Sequence, residues 1–126
     1  MDKQLKEIES MWLGTNKDSV RDFVDLLCDS RKKLIVGLGA GRMGYAVQSF
    51  IMRLSHLGYN SYMVGDTTLP RVDSSAIVVV NTSSGETPSM KLYVDQCKAA
   101  GSFIVVVTSA EESSIAIKAD LVVSIP

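Results

Sequence analysis

Histidine and cysteine are scarce in this chain: His56 stands alone, and Cys28 and Cys97 lie far apart. That excludes the ligand spacing of a zinc site and the cysteine framework of a disulfide-stapled domain, so both thiols are expected to be buried. A strong charge bias is missing too. Thirteen basic residues face fourteen acidic ones, for a net charge of -1, and no Lys/Arg tract occurs. The basic face of a nucleic-acid-binding protein is therefore not expected. No apolar run approaches the roughly 20 residues needed to cross a bilayer, and the charged N-terminal segment has no signal-peptide core. These absences point to a cytoplasmic protein with neither nucleic acid nor membrane as partner. A chain of 126 residues suits one compact domain rather than a cofactor domain joined to a catalytic one.

What is present is a regular alternation. Lys3 to Trp12 reads as a helix, with Leu5, Ile8, Met11 and Trp12 at helical spacing and Gly14 as its stop; its apolar stripe is available to brace a neighbouring subunit. Asp18 to Cys28 reads as a second helix, with Val20, Phe23, Val24 and Leu27 on one stripe, followed by a solvated turn at Arg31-Lys32-Lys33. Residues 1–30 thus form N-terminal helices of the same domain as 31–126. Five short β-branched runs follow: Leu34 to Leu38, Ser61 to Val64, Ala76 to Val80, Phe103 to Val107 and Leu121 to Ile125. They are mostly without polar alternation, as strands covered on both faces should be.

Between the strands lie helices with readable ends. Arg42 to Leu57 carries Met43, Ala46, Val47, Phe50, Ile51, Leu54 and Leu57 at i, i+3, i+4 spacing, with Gly58 as C-terminal cap. Ser89 to Ala100 carries Met90, Tyr93, Val94 and Cys97, with Thr87 as N-cap, Pro88 at the first helical position and Gly101 beyond the end. Ser109 and Glu112 have capping-box spacing for a short last helix through Ala119. Strand, helix, strand repeated in this way implies an α/β fold: a three-layer α/β/α sandwich around a five-stranded parallel sheet. The flavodoxin-like order 2-1-3-4-5 would set the first and third strands side by side at a switch point, so that their following loops face one crevice.

Those two loops hold the candidate site. Gly39-Ala40-Gly41-Arg42-Met43-Gly44 fits GxGxxG between a strand and a helix, where a phosphate can approach the helix N-terminus; the same glycines also suit a packing turn without ligand. Arg42 either adds charge to the crevice or points to solvent. In the second loop Thr82, Ser84 and Thr87 offer hydroxyls, and Ser83, Gly85 and Glu86 offer backbone N–H groups. Thr87 alone is explained as a helix cap, but a cap does not account for so many further polar residues after an apolar strand. Glu86 is the one acid in the loop. It would be repelled by a phosphate unless turned toward the neutral part of a ligand, where it would hold hydroxyls or act as a base. His56, near the far end of its helix, suits contact with the helix C-terminus or the active site of a neighbouring subunit. Asp66 follows the second strand where a dinucleotide-binding fold places a ribose-binding carboxylate, and equally suits a solvated turn before Thr67-Thr68-Leu69-Pro70.

Taken together, Gly39-Ala40-Gly41-Arg42, Met52-Arg53-Leu54-Ser55-His56-Leu57-Gly58, Val64-Gly65-Asp66-Thr67-Thr68-Leu69-Pro70 and Ser84-Gly85-Glu86-Thr87 resemble the sugar isomerase (SIS) domain, and within it the 6-phospho-3-hexuloisomerases. The likeness keeps its order from the first helices to Pro126. It implies a flavodoxin-like sandwich assembled as a homo-oligomer, a dimer or a tetramer. It also implies reversible conversion of 3-hexulose 6-phosphate to fructose 6-phosphate, the step after formaldehyde condensation in the ribulose monophosphate pathway. Such a reaction needs a base that shuttles a proton through an enediol, and no metal or organic cofactor. By the family pattern Thr82, Ser83, Ser84, Gly85, Glu86 and Thr87 bind the phosphate of a small phosphorylated sugar, with Gly41, Arg42 and Met43 opposite.

Two positions depart from that pattern. Relatives carry a phosphate-contacting serine where Met43 stands, and they continue past the fifth strand into helices bearing an acidic residue proposed as the proton acceptor. The catalytic base is therefore unassigned, with Glu86 and His56 as candidates. Two alternatives stay open: a non-catalytic SIS domain that senses a sugar phosphate, and a Rossmann-type dinucleotide-binding domain using Gly39, Gly41, Gly44 and Asp66. The hydroxyl loop favours sugar phosphate, since a dinucleotide site has no need of it.

Overall fold

A computed structural model describes residues 2–126. Two helices, α1 (Lys3–Gly14) and α2 (Lys17–Asp29), precede β1 (Leu34–Gly39), α3 (Gly41–His56), β2 (Asn60–Met63), β3 (Ile77–Asn81), α4 (Pro88–Ala99), β4 (Phe103–Thr108) and β5 (Leu121–Ser124). The five strands form one parallel sheet of order 2-1-3-4-5. This is the expected α/β architecture.

Strands β1, β3 and β4 are largely apolar because each face of the sheet is covered, whereas the edge strand β2, Asn-Ser-Tyr-Met, is only half-buried. Successive side chains point to opposite faces. On one face Ile35, Ile77, Val79 and Val105 pack with Leu27 of α2 and with Val47, Ile51 and Leu54 of α3. On the other, Val36, Val78, Val80, Ile104 and Val106 pack with Met90, Val94 and Cys97 of α4 and with Ile115 and Ala116. Each fully buried Ile or Val contributes about 1.5–3 kcal/mol. Tertiary packing of this kind, rather than helix propensity, holds α3 and α4 in place.

Several sequence expectations need correction. The stripe on α2 runs through Ser19, Val20, Phe23 and Leu27, and Val24 faces solvent because the helix turns it out of the arc that meets the sheet. Leu57 is likewise exposed, since it is the C-cap that follows α3 rather than part of its buried stripe. Cys97 is buried but Cys28 is exposed, one position round the helix from buried Leu27. No helix starts at Ser109. Residues 111–115 form turns and a bend, and only a single 3-10 turn follows, at Ala116–Lys118. The Thr108 hydroxyl accepts the Ala110 N–H at 3.0 Å and the Ala110 carbonyl accepts the Ser113 N–H at 3.1 Å, so the segment closes as turns rather than as a capped helix.

Helix α1 buries none of its residues, and Leu5, Ile8, Met11, Trp12 and Leu13 all remain exposed. Among the described residues no helix is long and apolar enough to cross a membrane.

Candidate active site

The site begins with strand register. Gly39 pairs with Asn81 at the carboxyl ends of β1 and β3, so both chains leave the sheet at the same level. From Gly39 the chain enters α3 almost at once. This requires glycine at two positions, because a Cβ on Gly39 would stand 2.9 Å from the Gly44 backbone and one on Gly44 would stand 2.9 Å from the Gly39 carbonyl oxygen. The first turn of α3 therefore packs backbone to backbone on the strand. Its first-turn N–H groups face the crevice end of the sheet, and the turn carries no acidic side chain to oppose an anion.

The second loop is built by its own side chains. Thr82 is buried, and its Oγ1 accepts the Gly85 N–H at 3.0 Å. Gly85 has φ +67, which allows the sharp reversal into α4. The Ser84 hydroxyl oxygen accepts the Glu86 N–H at 3.2 Å. Thr87 occupies the N-cap position and Pro88 the first helical position, yet the Thr87 side chain makes no capping hydrogen bond. Its hydroxyl is thus free of the role that would explain it without a ligand. The first turn of α4 also lacks an acidic side chain.

Asn81 joins the two loops, its side-chain amide donating to the Met43 carbonyl at 3.1 Å. Between the loops lies a cleft of about 50 Å³, lined by Ala40 and Met43 on one side, by Thr82, Ser83, Ser84 and Thr87 on the other, and by Asn81 and Met90. The walls combine hydroxyls with two helix N-termini, which is the chemistry that holds a phosphate. Met43 adds no hydroxyl to its wall of the cleft.

The remaining candidates fall around this cleft rather than on it. Gly41 lines an adjoining groove with Gly39, Gly44 and Tyr45, and Arg42 is exposed at the start of α3. Gly85 is buried beneath the loop. Glu86 lines a different, polar cleft of about 440 Å³ with Ser84, Ser109, Glu111, Glu112 and Ser113. Its Oε2 accepts the Ser114 N–H at 2.8 Å and its Oε1 lies 3.6 Å from the Lys91 ammonium. These contacts, the Ser114 bond above all, hold the Glu86 carboxyl below the usual carboxylate range.

His56 and Asp66 line a groove of about 440 Å³ beside α3, together with Tyr45, Gln48 and Ser49. Asp66 uses one carboxylate oxygen to accept the Met63 N–H at 2.8 Å, which ends β2. Neither residue lines the hydroxyl cleft. Among the described residues no group of three or more His, Cys, Asp or Glu side chains is placed to hold a metal ion. The sequence places Asn81 at the start of the second loop but gives no sign of its bond to the first. Sequence reasoning missed the wall at Ser109 to Ser113, which was read as the start of a helix.

Comparison with known proteins bears on the family and the fold. Residues 29–126 match the SIS domain family. The chain is 36% identical over 122 residues to a 3-hexulose-6-phosphate isomerase of Bacillus subtilis, covering 97% of this chain and 65% of that protein. It is 34% identical over 113 residues to the Methylomonas aminofaciens protein of the same name, covering 90% and 62%. A Methanococcus jannaschii protein, whose crystal structure infers a molecular function of 3-hexulose-6-phosphate isomerase, superposes with a TM-score of 0.78 at 30% identity, covering 86% and 59%. The chain spans less than two thirds of the length of the curated relatives it matches. On the strength of the family match and of the fold, the chain belongs to the SIS domain family.

Proposed function

We propose that the cleft between the two loops binds the phosphate of a ketohexose phosphate, and that the protein interconverts 3-hexulose 6-phosphate and fructose 6-phosphate. The observation that carries this reading is the meeting of Thr82, Ser83, Ser84 and Thr87 with the N-termini of α3 and α4 around one small cleft. Hydroxyl donors and two helix dipoles act on a dianion together. The names of the relatives supply the substrate. On the same reading the protein works in the cytoplasm, within the ribulose monophosphate pathway, as a dimer or tetramer; the exposed apolar side chains of α1 support an assembly.

The reaction moves a carbonyl from C3 to C2. A base takes the proton from C2, the cis-enediol forms, and the proton returns at C3. The phosphate loop contributes position, holding the far end of the sugar so that the reacting carbons meet the base repeatedly. Glu86 is a weak base in this setting because Ser114 and Lys91 stabilise its ionised form. A second reading follows from that observation: a sugar-phosphate sensor that binds without turnover.

Calorimetric titration with fructose 6-phosphate and with NAD tests the binding claim. Sugar-phosphate binding without NAD binding is expected, and the reverse would overturn it in favour of the dinucleotide alternative. A coupled assay with hexulose phosphate then separates enzyme from sensor. Fructose 6-phosphate formation supports the isomerase, and binding without turnover supports the sensor.

A further inference from the structure

The turn after β4 has backbone donors that its own residues do not satisfy. The Ser114 N–H goes to the Glu86 carboxylate at 2.8 Å, and the Ile115 N–H goes to the Gly85 carbonyl at 3.1 Å. Ser113 fills the space beside Gly85 so closely that a Cβ there would lie 1.9 Å from the Ser113 hydroxyl oxygen. Two segments separated by all of α4 and β4 are thereby joined edge to edge. Glu86 is the one member of this seam that acts through a side-chain charge. It is also tied by its own N–H to the Ser84 hydroxyl oxygen. That bond occupies an acceptor of Ser84 and leaves its O–H available to donate; Ser84 stands between the two clefts and lines both, whereas Glu86 lines only the larger one.

We infer that Glu86 is a positioning residue rather than the catalytic base: its carboxylate clamps the 113–115 turn, and the clamp fixes the Glu86 peptide that orients the Ser84 hydroxyl toward phosphate. The inference rests on the phosphosugar-binding reading of the cleft. It assigns the acid a task compatible with a nearby dianion. A carboxylate already holding an N–H and facing Lys91 is directed away from the phosphate it would otherwise repel. The same geometry explains how a glutamate is tolerated inside an anion-binding loop.

The test compares Glu86→Ala, Glu86→Asp and Glu86→Gln with the wild-type chain. Amide exchange at Ser114 and Ile115, followed by NMR, reads the clamp directly, and calorimetry with fructose 6-phosphate and with inorganic phosphate reads its consequence. Glutamine keeps an acceptor oxygen at the same reach, so E86Q is expected to preserve both slow exchange and affinity. E86A is expected to exchange faster at Ser114 and to bind both probes about fivefold more weakly, as for the loss of one partly exposed charge-assisted bond. E86D withdraws the acceptor by one methylene and should follow E86A, which keeps the comparison informative if E86A folds poorly. Unchanged Ser114 exchange in E86A and E86D would overturn the clamp. Affinity lost equally in E86Q and E86A would overturn the positioning role, and E86Q that binds normally but loses all turnover would restore Glu86 as the base. If the wild type binds neither probe while E86A still speeds exchange, the sugar-phosphate reading fails and takes the link to Ser84 with it, but the clamp itself stands.

Discussion

Replacing Gly85 with alanine introduces two separable faults whose sizes can be worked from the geometry. The first is conformational. Gly85 has φ +67, and an L-residue in that region costs about 1–2 kcal/mol. The second is steric: the new Cβ would lie 1.9 Å from the Ser113 hydroxyl oxygen and 2.3 Å from the Ser113 Cβ, with the Ser113 Cα at an ordinary 3.8 Å. Both crowding atoms belong to one buried side chain, and forcing them apart costs about 1–3 kcal/mol. The sum, about 2–5 kcal/mol, is a large part of the 5–15 kcal/mol typical of a whole domain. With a urea m-value near 2 kcal/mol/M the unfolding midpoint should fall by about 1–2.5 M. Ser113→Gly removes both crowding atoms. In a double-mutant cycle the G85A/S113G pair should therefore regain the steric part, about 1–3 kcal/mol, and keep the conformational part. S113G also forfeits the hydroxyl that accepts the Ala116 N–H at 3.3 Å, a loss the cycle subtracts. Urea melts of the four proteins decide it. A G85A protein as stable as wild type, or a coupling energy near zero, would refute the claim that this turn and the phosphate loop are packed against each other.

Ser84→Ala should weaken fructose 6-phosphate binding in calorimetry and leave the melting temperature nearly unchanged, because its bond from the Glu86 N–H is long and exposed; a large stability loss at unchanged affinity would make Ser84 structural. Met43→Ser should strengthen phosphate binding by supplying a donor to the cleft wall, and unchanged or weaker affinity would count against the assignment of that wall. Burial pushes the Tyr93 phenol up to about 12 from an ordinary value of 10.0. The folded state therefore favours the protonated phenol, and its contribution is complete below pH 10.0 and lost as pH rises toward about 12. Ultraviolet titration should show one tyrosine ionising late, and stability should decline across that window; Tyr93→Phe should flatten the decline.

The sheet was legible because burial on both faces removes polar residues from strands, so Ala76 to Val80 and Phe103 to Val107 stood out against their surroundings. The pairing of the two loops followed from topology, since a switch point between β1 and β3 leaves little choice about where their loops meet. Local chemistry was read less well. Thr82 lines the cleft as its hydroxyl suggests, but its oxygen also closes the loop by accepting the Gly85 N–H, a second task the sequence pattern does not record. Ser109 and Glu112 have the spacing of a capping box, but the segment after β4 closes in local turns and ties only its Ser114 and Ile115 N–H groups across the fold, to Glu86 and Gly85, a partnership between residues about 28 positions apart that no local pattern records. Val24 and Cys28 show the same limit on a smaller scale. Helical spacing defines a stripe, but the sheet decides which arc of it is covered.

The level ending of β1 and β3, with Gly39 opposite Asn81, constrains anyone who would redesign this scaffold. Removing a single residue from either strand would lower its outgoing turn by about 3.3 Å and reverse which face its side chains meet. Transplanting one turn from a relative therefore carries a hidden length requirement. Grafts should move both turns with their strand ends as a matched set, and chimeras that exchange only one should lose anion capture even when every transplanted residue is the right one.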